Sequence, residues 1–183
     1  VNVGLGNVYL YGAMLEQGSY ATSYIPTSGS TVTRIADVCN NGGNEQVINS
    51  TEGVLYAEIS ALANSNNYRF IAISDGTNSN RVTISFKNDN TLVGFIQGIS
   101  EFNSNVNILD FNKVALKYKS GDYSFWVNGF EAETSSSTSG AHANLNELKF
   151  SMGSDSNPFY GNVKDVRLYN TALTDQELKS LTQ

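Results

Sequence analysis

The sequence predicts an all-β protein, an antiparallel β-sandwich of the jelly-roll kind with a short helical turn at its C-terminal end. Three observations support this fold class. Apolar and polar residues alternate with a period of two along most of the 183 residues, as in half-buried strands. Short turn signals such as Asp75-Gly76 and Asn128-Gly129 separate the alternating segments. A helix start signal occurs near the C-terminal end, where Thr174 and Glu177 form a capping-box pattern.

The strands follow from the alternation, segment by segment. In 53–62, "GVLYAEISAL", Leu55, Ala57 and Ile59 share one face of a strand. The segment 68–74, "YRFIAIS", is apolar on both faces and is therefore expected to be a central strand. Further predicted strands are 20–25, 32–38, 81–86, 91–97, 113–119, 122–128, 147–152 and 160–169. The pattern as a whole predicts about a dozen strands.

The chain is expected to divide into two parts. Residues 1–30 contain a strand pattern and then a Gly-, Ser- and Pro-containing segment, so they are predicted to bridge from an upstream module and to dock on the domain. Residues 31–183 are predicted to form the sandwich. The first residues lack a signal-peptide pattern, which places the expected boundary inside a longer protein.

Composition excludes several classes of function. The net charge is −6 with 15% charged residues, and no cluster of Lys and Arg is large enough for nucleic acid. No apolar run reaches the length of a membrane span, so membrane insertion is not expected. The single cysteine, Cys39, allows no internal disulfide. The many uncharged polar residues favour an extracellular protein, either secreted or on a virion tail.

Residues suited to catalysis are scarce, and the sequence predicts no enzyme. The only histidine, His142, lies in a segment without apolar flanks and is expected to be a solvated loop residue. Glu131 and Glu133 could supply two carboxylates, although two acids near a strand edge more often protect that edge. No cofactor is required; a structural calcium remains open, and its candidate ligands are Asp37, Asp155 and Asp165.

Trp126 raises the question of binding. It alternates with Phe125 and Val127, so it must point away from the core that they enter. One interpretation is that another part of the chain covers the ring. The other is that the indole forms a platform for the apolar face of a sugar. Residues predicted to share this carbohydrate-binding face with Trp126 are Lys117, Lys119, Tyr56, Glu58 and Arg69. The lysines would suit an anionic saccharide.

Two segments carry a family resemblance. "YKSGDYSFWVNGFE" (118–131) and "FYGNVKDVRLYNTALTDQELKSLT" (159–182) resemble the laminin-G-like, concanavalin A-like jelly-roll domains of phage tail proteins and bacterial carbohydrate-binding proteins. The segment 15–37 resembles the junction that follows an upstream carbohydrate-binding module. The resemblance implies two curved sheets and a non-catalytic, lectin-like function toward a polysaccharide or surface glycan. The alternative is a structural or assembly module of a tail or surface protein.

Overall fold

The computed structural model describes residue 9 and the ranges 12–16, 23–33 and 42–183. The chain divides into two compact units, Val1–Asp37 and Val38–Gln183. The described residues of the first unit form no helix or strand. The strands predicted at 20–25 and 32–38 lie partly outside the described residues, and the division predicted at residue 30 stays a prediction.

The second unit contains ten strands and one helix among its described residues. In chain order they are β1 (Glu52–Ala61), β2 (Arg69–Ser74), β3 (Arg81–Phe86), β4 (Leu92–Ile96), β5 (Phe102–Ser104), β6 (Asn112–Lys119), β7 (Tyr123–Val127), β8 (Phe130–Ser135), β9 (Glu147–Lys149), β10 (Gly161–Tyr169) and α1 (Asp175–Thr182). Apart from β5 and β8, which are not among the predicted strands, the strands lie where the alternation predicts them, and α1 begins at the predicted capping box.

The strands form two antiparallel sheets of five strands each. The first sheet has the order β10-β1-β6-β7-β8, and the second has the order β5-β4-β3-β2-β9. All the strand pairs are antiparallel; β6 and β7, for example, pair across the 119–122 turn, with Ala115 opposite Trp126 and Leu116 opposite Phe125. The predicted antiparallel sandwich is therefore confirmed.

The main core lies between the sheets. Leu55, Leu116 and Phe125 enter it from the first sheet, and Ile71 and Ile84 enter it from the second; all are fully buried. Because side chains alternate along a strand, the intervening residues lie on the two outer faces of the sandwich. These outer faces are where a binding site could form.

Helix α1 covers part of the outer face of the first sheet. It begins at the predicted capping box: Thr174 Oγ1 accepts a hydrogen bond from the Glu177 amide, and the Glu177 carboxylate accepts one from the Thr174 amide. Leu178 is fully buried in a second apolar cluster with Val54 and Trp126. The helix thus gives the sandwich a third layer on this side.

Candidate functional site

Trp126 is not an open platform. Its exposed fraction is 7%, and its ring packs with Tyr56, Ala115 and Leu178 in the cluster beneath α1. The indole Nε1 donates to Ser124 Oγ at 3.2 Å, within its own strand. The alternation argument was right that Trp126 points away from the main core. Of the two interpretations of the ring, the structure shows the one in which another part of the chain covers it, because α1 has an apolar side of its own to bury and packs on the indole.

Four of the other residues predicted on this face, Tyr56, Glu58, Lys117 and Lys119, do lie there, but they are engaged with one another or with charged neighbours. Register places Tyr56 opposite Ala115, Glu58 opposite Lys113, and Lys119 opposite Glu52. The ion pairs of the face are Lys117 with Asp122 at 2.7 Å and with Asp175 at 3.3 Å, Lys119 with Glu52 at 2.9 Å, and Glu58 with Lys164 at 2.6 Å. Tyr56 is buried, with the Arg167 guanidinium 5.6 Å from its ring centre. A carbohydrate-binding role for these residues stays a prediction.

Arg69 does not share their face. It is the first residue of β2 in the second sheet, and its register partner is the core residue Phe86. The guanidinium lies 5.3 Å from the Phe86 ring centre and donates to the Ala63 carbonyl oxygen at 3.0 Å. The prediction for Arg69 was wrong because β2 belongs to the second sheet, and alternation within a strand does not show to which sheet the strand belongs.

The two candidate calcium ligands that the structure describes, Asp155 and Asp165, each pair with a different basic residue. Asp155 pairs with Lys149 at 3.0 Å, and Asp165 pairs with Arg167 at 2.5 Å. Asp37 lies outside the described residues. Within the ranges that the structure describes, no three His, Cys, Asp or Glu side chains gather in a way that could hold a metal ion. The calcium proposal stays a prediction.

His142 is buried rather than solvated, which corrects the expectation from its sequence context. Its exposed fraction is 6%. Nδ1 donates to the Ser50 carbonyl oxygen at 2.7 Å, and Nε2 lies 3.0 Å from the Tyr123 hydroxyl, within hydrogen-bond distance. Tyr118 and Tyr123 present edge-to-face rings at 5.6 and 5.9 Å. Because both ring nitrogens are used structurally, His142 serves to anchor the loop after β8.

An open concavity lies on the opposite side of the sandwich, on the outer face of the second sheet. It is a groove of about 290 Å³. Its floor comes from outward-facing residues of β2, β3 and β4, which alternate with core residues. The residues that line the groove are Tyr68, Phe70, Arg81, Ser85, Lys87, Val93, Phe95, Glu101, Met152 and Asn157.

Aromatic side chains form much of the groove wall. The rings of Tyr68 and Phe70 are stacked, with centres 6.0 Å apart and planes 12° apart. Tyr68 keeps 38% of its surface exposed, whereas Phe70 is buried. Phe95 lies beneath the Arg81 guanidinium at 4.8 Å. The groove therefore offers flat apolar surface to the solvent at its rim and has cationic groups beside it.

The segment after β9 contributes to the wall of the groove. Met152 and Asn157 both line it. The Asn157 carbonyl oxygen accepts a hydrogen bond from the Phe70 amide at 3.3 Å, which attaches the segment to the start of β2. Gly153 lies against the Thr77 carbonyl, so close that a Cβ would stand 2.1 Å from that oxygen. Ordered contacts, rather than chance proximity, thus position this wall.

Polar groups at the groove are few and mostly paired. Lys87 Nζ lies 2.9 Å from Glu101 Oε2, and these side chains keep 22% and 44% of their surfaces exposed. Arg81 Nη1 donates to the Asn78 carbonyl oxygen at 2.6 Å. Ser85, which is buried, supplies a hydroxyl to the floor. A few polar groups within a largely apolar concavity are typical of a small-molecule or saccharide site.

Sequence reasoning did not find this groove, although one signal was present. In β4, Val93 and Phe95 alternate with the core residues Leu92 and Ile96, so this strand presents apolar side chains on its outer face too. An apolar outer face on a strand next to an Arg-containing strand indicates a covered or binding surface. This signal indicates a groove only when β3 and β4 are known to be neighbours in the sheet.

The fold and groove define a β-sandwich protein with an open concavity on one sheet face. The comparison with family models goes further: the model described as the concanavalin A-like lectin/glucanases superfamily matches residues 25–179. The chain belongs to this family. Comparison with curated proteins gives no match.

Solved structures with the same fold include carbohydrate-binding domains. The CBM40 domain of Ruminococcus gnavus IT-sialidase has 15% identity and a TM-score of 0.62, over 81% of this chain and 96% of that chain. The same domain bound to α2,6-sialyllactose gives 14% identity and a TM-score of 0.63, over the same 81% and 96%. Domain 4 of AbnA, an extracellular arabinanase of Geobacillus stearothermophilus in complex with arabinotriose, has 12% identity and a TM-score of 0.58, over 77% of this chain and 70% of that chain. At these identities the likeness establishes the fold.

Proposed function

We propose that this chain is a non-catalytic carbohydrate-binding module and that the groove on the second sheet holds the saccharide. The observation that carries the proposal is the exposed Tyr68 ring, stacked on Phe70 at the rim of a 290 Å³ groove. A pyranose ring has an apolar C–H face that packs against such a ring, while its hydroxyls reach the polar groups beside it. Similar folds that bind sialyllactose and arabinotriose support the proposal.

The composition of the groove supports binding without catalysis. Hydrolysis of a glycosidic bond generally needs two carboxylates, one on each side of the bond. Among the described residues that line the groove, Glu101 is the one carboxylate, and it is paired with Lys87. Glu133, considered above as half of an acid pair, accepts a hydrogen bond from the Asn103 amide at 3.1 Å. Neither arrangement offers a free acid and a facing base.

An extracellular location fits this function, because the polysaccharides that such modules bind lie outside cells. No helix among the described residues is long and apolar enough to cross a membrane. We infer a secreted or virion-tail parent protein in which this module follows an upstream domain. A single weak site of this kind would act through repeated copies, since linked sites raise the effective affinity.

The competing function is a structural or assembly module, and the burial of Trp126 is the observation that favours it. A sheet face filled by α1 serves stability rather than recognition. The groove distinguishes the two functions, because a purely structural module has no need of an exposed stacked tyrosine there. Glycan binding by the isolated chain would separate them.

The test compares Tyr68→Ala with Tyr160→Ala by isothermal titration calorimetry against the glycans found by an array screen. Tyr160 is a matched control, since it is 55% exposed and does not line the groove. We expect Tyr68→Ala to weaken binding about 3- to 10-fold, the size of a lost aromatic contact. Tyr160→Ala should bind like the unaltered chain. Equal affinities for both variants would place the site elsewhere, and no glycan binding at all would reject the function.

A further inference from the structure

Arg81 occupies a fixed position in the groove. It is the first residue of β3 and alternates with the core residue Val82, so its side chain lies on the outer face of the second sheet. Two contacts hold the guanidinium: the Phe95 ring at 4.8 Å and the Asn78 carbonyl oxygen at 2.6 Å. A planar guanidinium held in this way has lost most of its rotamer freedom before any ligand arrives.

The positive charge of Arg81 has no acidic partner in the part of the chain that the structure describes. Several other cations of the sheets do have acidic partners: Lys87 pairs with Glu101, Lys117 with Asp122, and Arg167 with Asp165. The Arg81 Nε is buried and makes no hydrogen bond. Burial lowers the pKa of Arg81, because the charge is partly removed from water without a counter-charge in return.

The groove is therefore locally positive on an acidic chain. Arg81 and Lys87 outweigh Glu101 by one charge among the lining residues, whereas the whole chain carries a net charge of −6. A concave surface with low-dielectric aromatic walls concentrates the field of such an uncompensated charge. An anion entering here would meet a preoriented donor group beside an aromatic surface.

We propose that the groove selects saccharides that carry a carboxylate, with the carboxylate on the Arg81 guanidinium and the sugar ring against Tyr68. The selection rests on the proposed function, since it names the substrate class of the same groove. A planar guanidinium matches the two oxygens of a carboxylate in a paired arrangement. The Lys87–Glu101 pair at the groove accounts for recognition of neighbouring hydroxyls.

The test uses the full chain and a matched pair of ligands: polygalacturonate oligosaccharides and the same oligosaccharides after carboxyl reduction, together with sialyllactose and lactose. Arg81→Gln removes the guanidinium. Arg167→Gln is the control, because Arg167 also lies over an aromatic ring, that of Tyr56, but on the first sheet. Affinities come from calorimetry at two salt concentrations, and circular dichroism checks folding.

We expect the unaltered chain to prefer at least one carboxylated ligand over its neutral counterpart by about 10- to 100-fold, the range for a charged hydrogen-bonded pair. Arg81→Gln should abolish the preference, and Arg167→Gln should keep it. Should Arg81→Gln fail to fold, Arg81→Lys retains the charge without the planar fork and should lose most of the preference.

Two outcomes would overturn the carboxylate assignment while leaving the carbohydrate function intact: equal affinity for carboxylated and neutral ligands, or a preference that survives Arg81→Gln. Failure of the proposed function gives a different result, since then no saccharide, neutral or acidic, binds at all. The two failures are therefore distinguishable in one set of titrations.

Discussion

Helix α1 should be docked chiefly by Leu178, and Leu178→Ala tests this. The side chain is fully buried against Trp126 and Val54, so truncation removes apolar contact and leaves a cavity. Substitutions of this kind cost about 2–5 kcal/mol, and we expect about 3 kcal/mol because the helix is short and can partly collapse. For a chain of this size the melting temperature should fall by roughly 6–12 °C.

The chain contains its own reporter for this experiment, since Trp126 is the only tryptophan. Urea unfolding followed by tryptophan emission reads the helix interface, and far-UV circular dichroism reads the sheets. Lys179→Ala is the control, because Lys179 is exposed on the same helix and its replacement should change stability by less than about 0.5 kcal/mol. A loss below about 1 kcal/mol for Leu178→Ala would refute the packing argument. Glycan affinity should be unchanged, since the groove lies on the other sheet.

Two further predictions concern local anchors. His142→Phe keeps the ring but leaves the Ser50 carbonyl and the Tyr123 hydroxyl without a partner, so we expect a loss of about 1–3 kcal/mol, measured by urea unfolding. Thr174→Ala removes the N-cap and should cost about 1 kcal/mol at neutral pH. Hydrogen bonds from the Thr174 side chain and backbone lower the pKa of Glu177 from 4.5. The stabilisation is therefore present above pH 4.5 and lost as the pH falls through the lower folded-state pKa. Melting curves of Thr174→Ala should show a weaker acid dependence, because the backbone amide at position 174 still donates to the Glu177 carboxylate.

Local signals predicted much of the fold. Alternation located the main strands because each has one face toward a core, and the capping box located the start of α1 because its hydrogen bonds join residues three positions apart. The three-residue strand β5 has too few positions for alternation to register. The position of β5 depends on its pairing with β4, which the sequence of β5 alone does not encode.

The site was harder to predict than the fold. Alternation placed Trp126 on an outer face, but whether another element covers that face depends on where α1 docks. The groove requires β2, β3 and β4 to lie side by side, and its walls include Met152 and Asn157 from a distant segment. His142 was misjudged for the same reason, since its partners Ser50 and Tyr123 are remote in sequence.

The turn between β2 and β3 has a consequence for how specificity could diverge in this family. The carbonyl oxygen that orients Arg81 belongs to Asn78, whose side chain exchanges hydrogen bonds with Ser154, and Asp75 braces the same turn through Thr77. None of these residues supports the sandwich core. Substitutions in six residues, 75–80, could therefore redirect the guanidinium and alter ligand choice while the β-scaffold beneath stays the same.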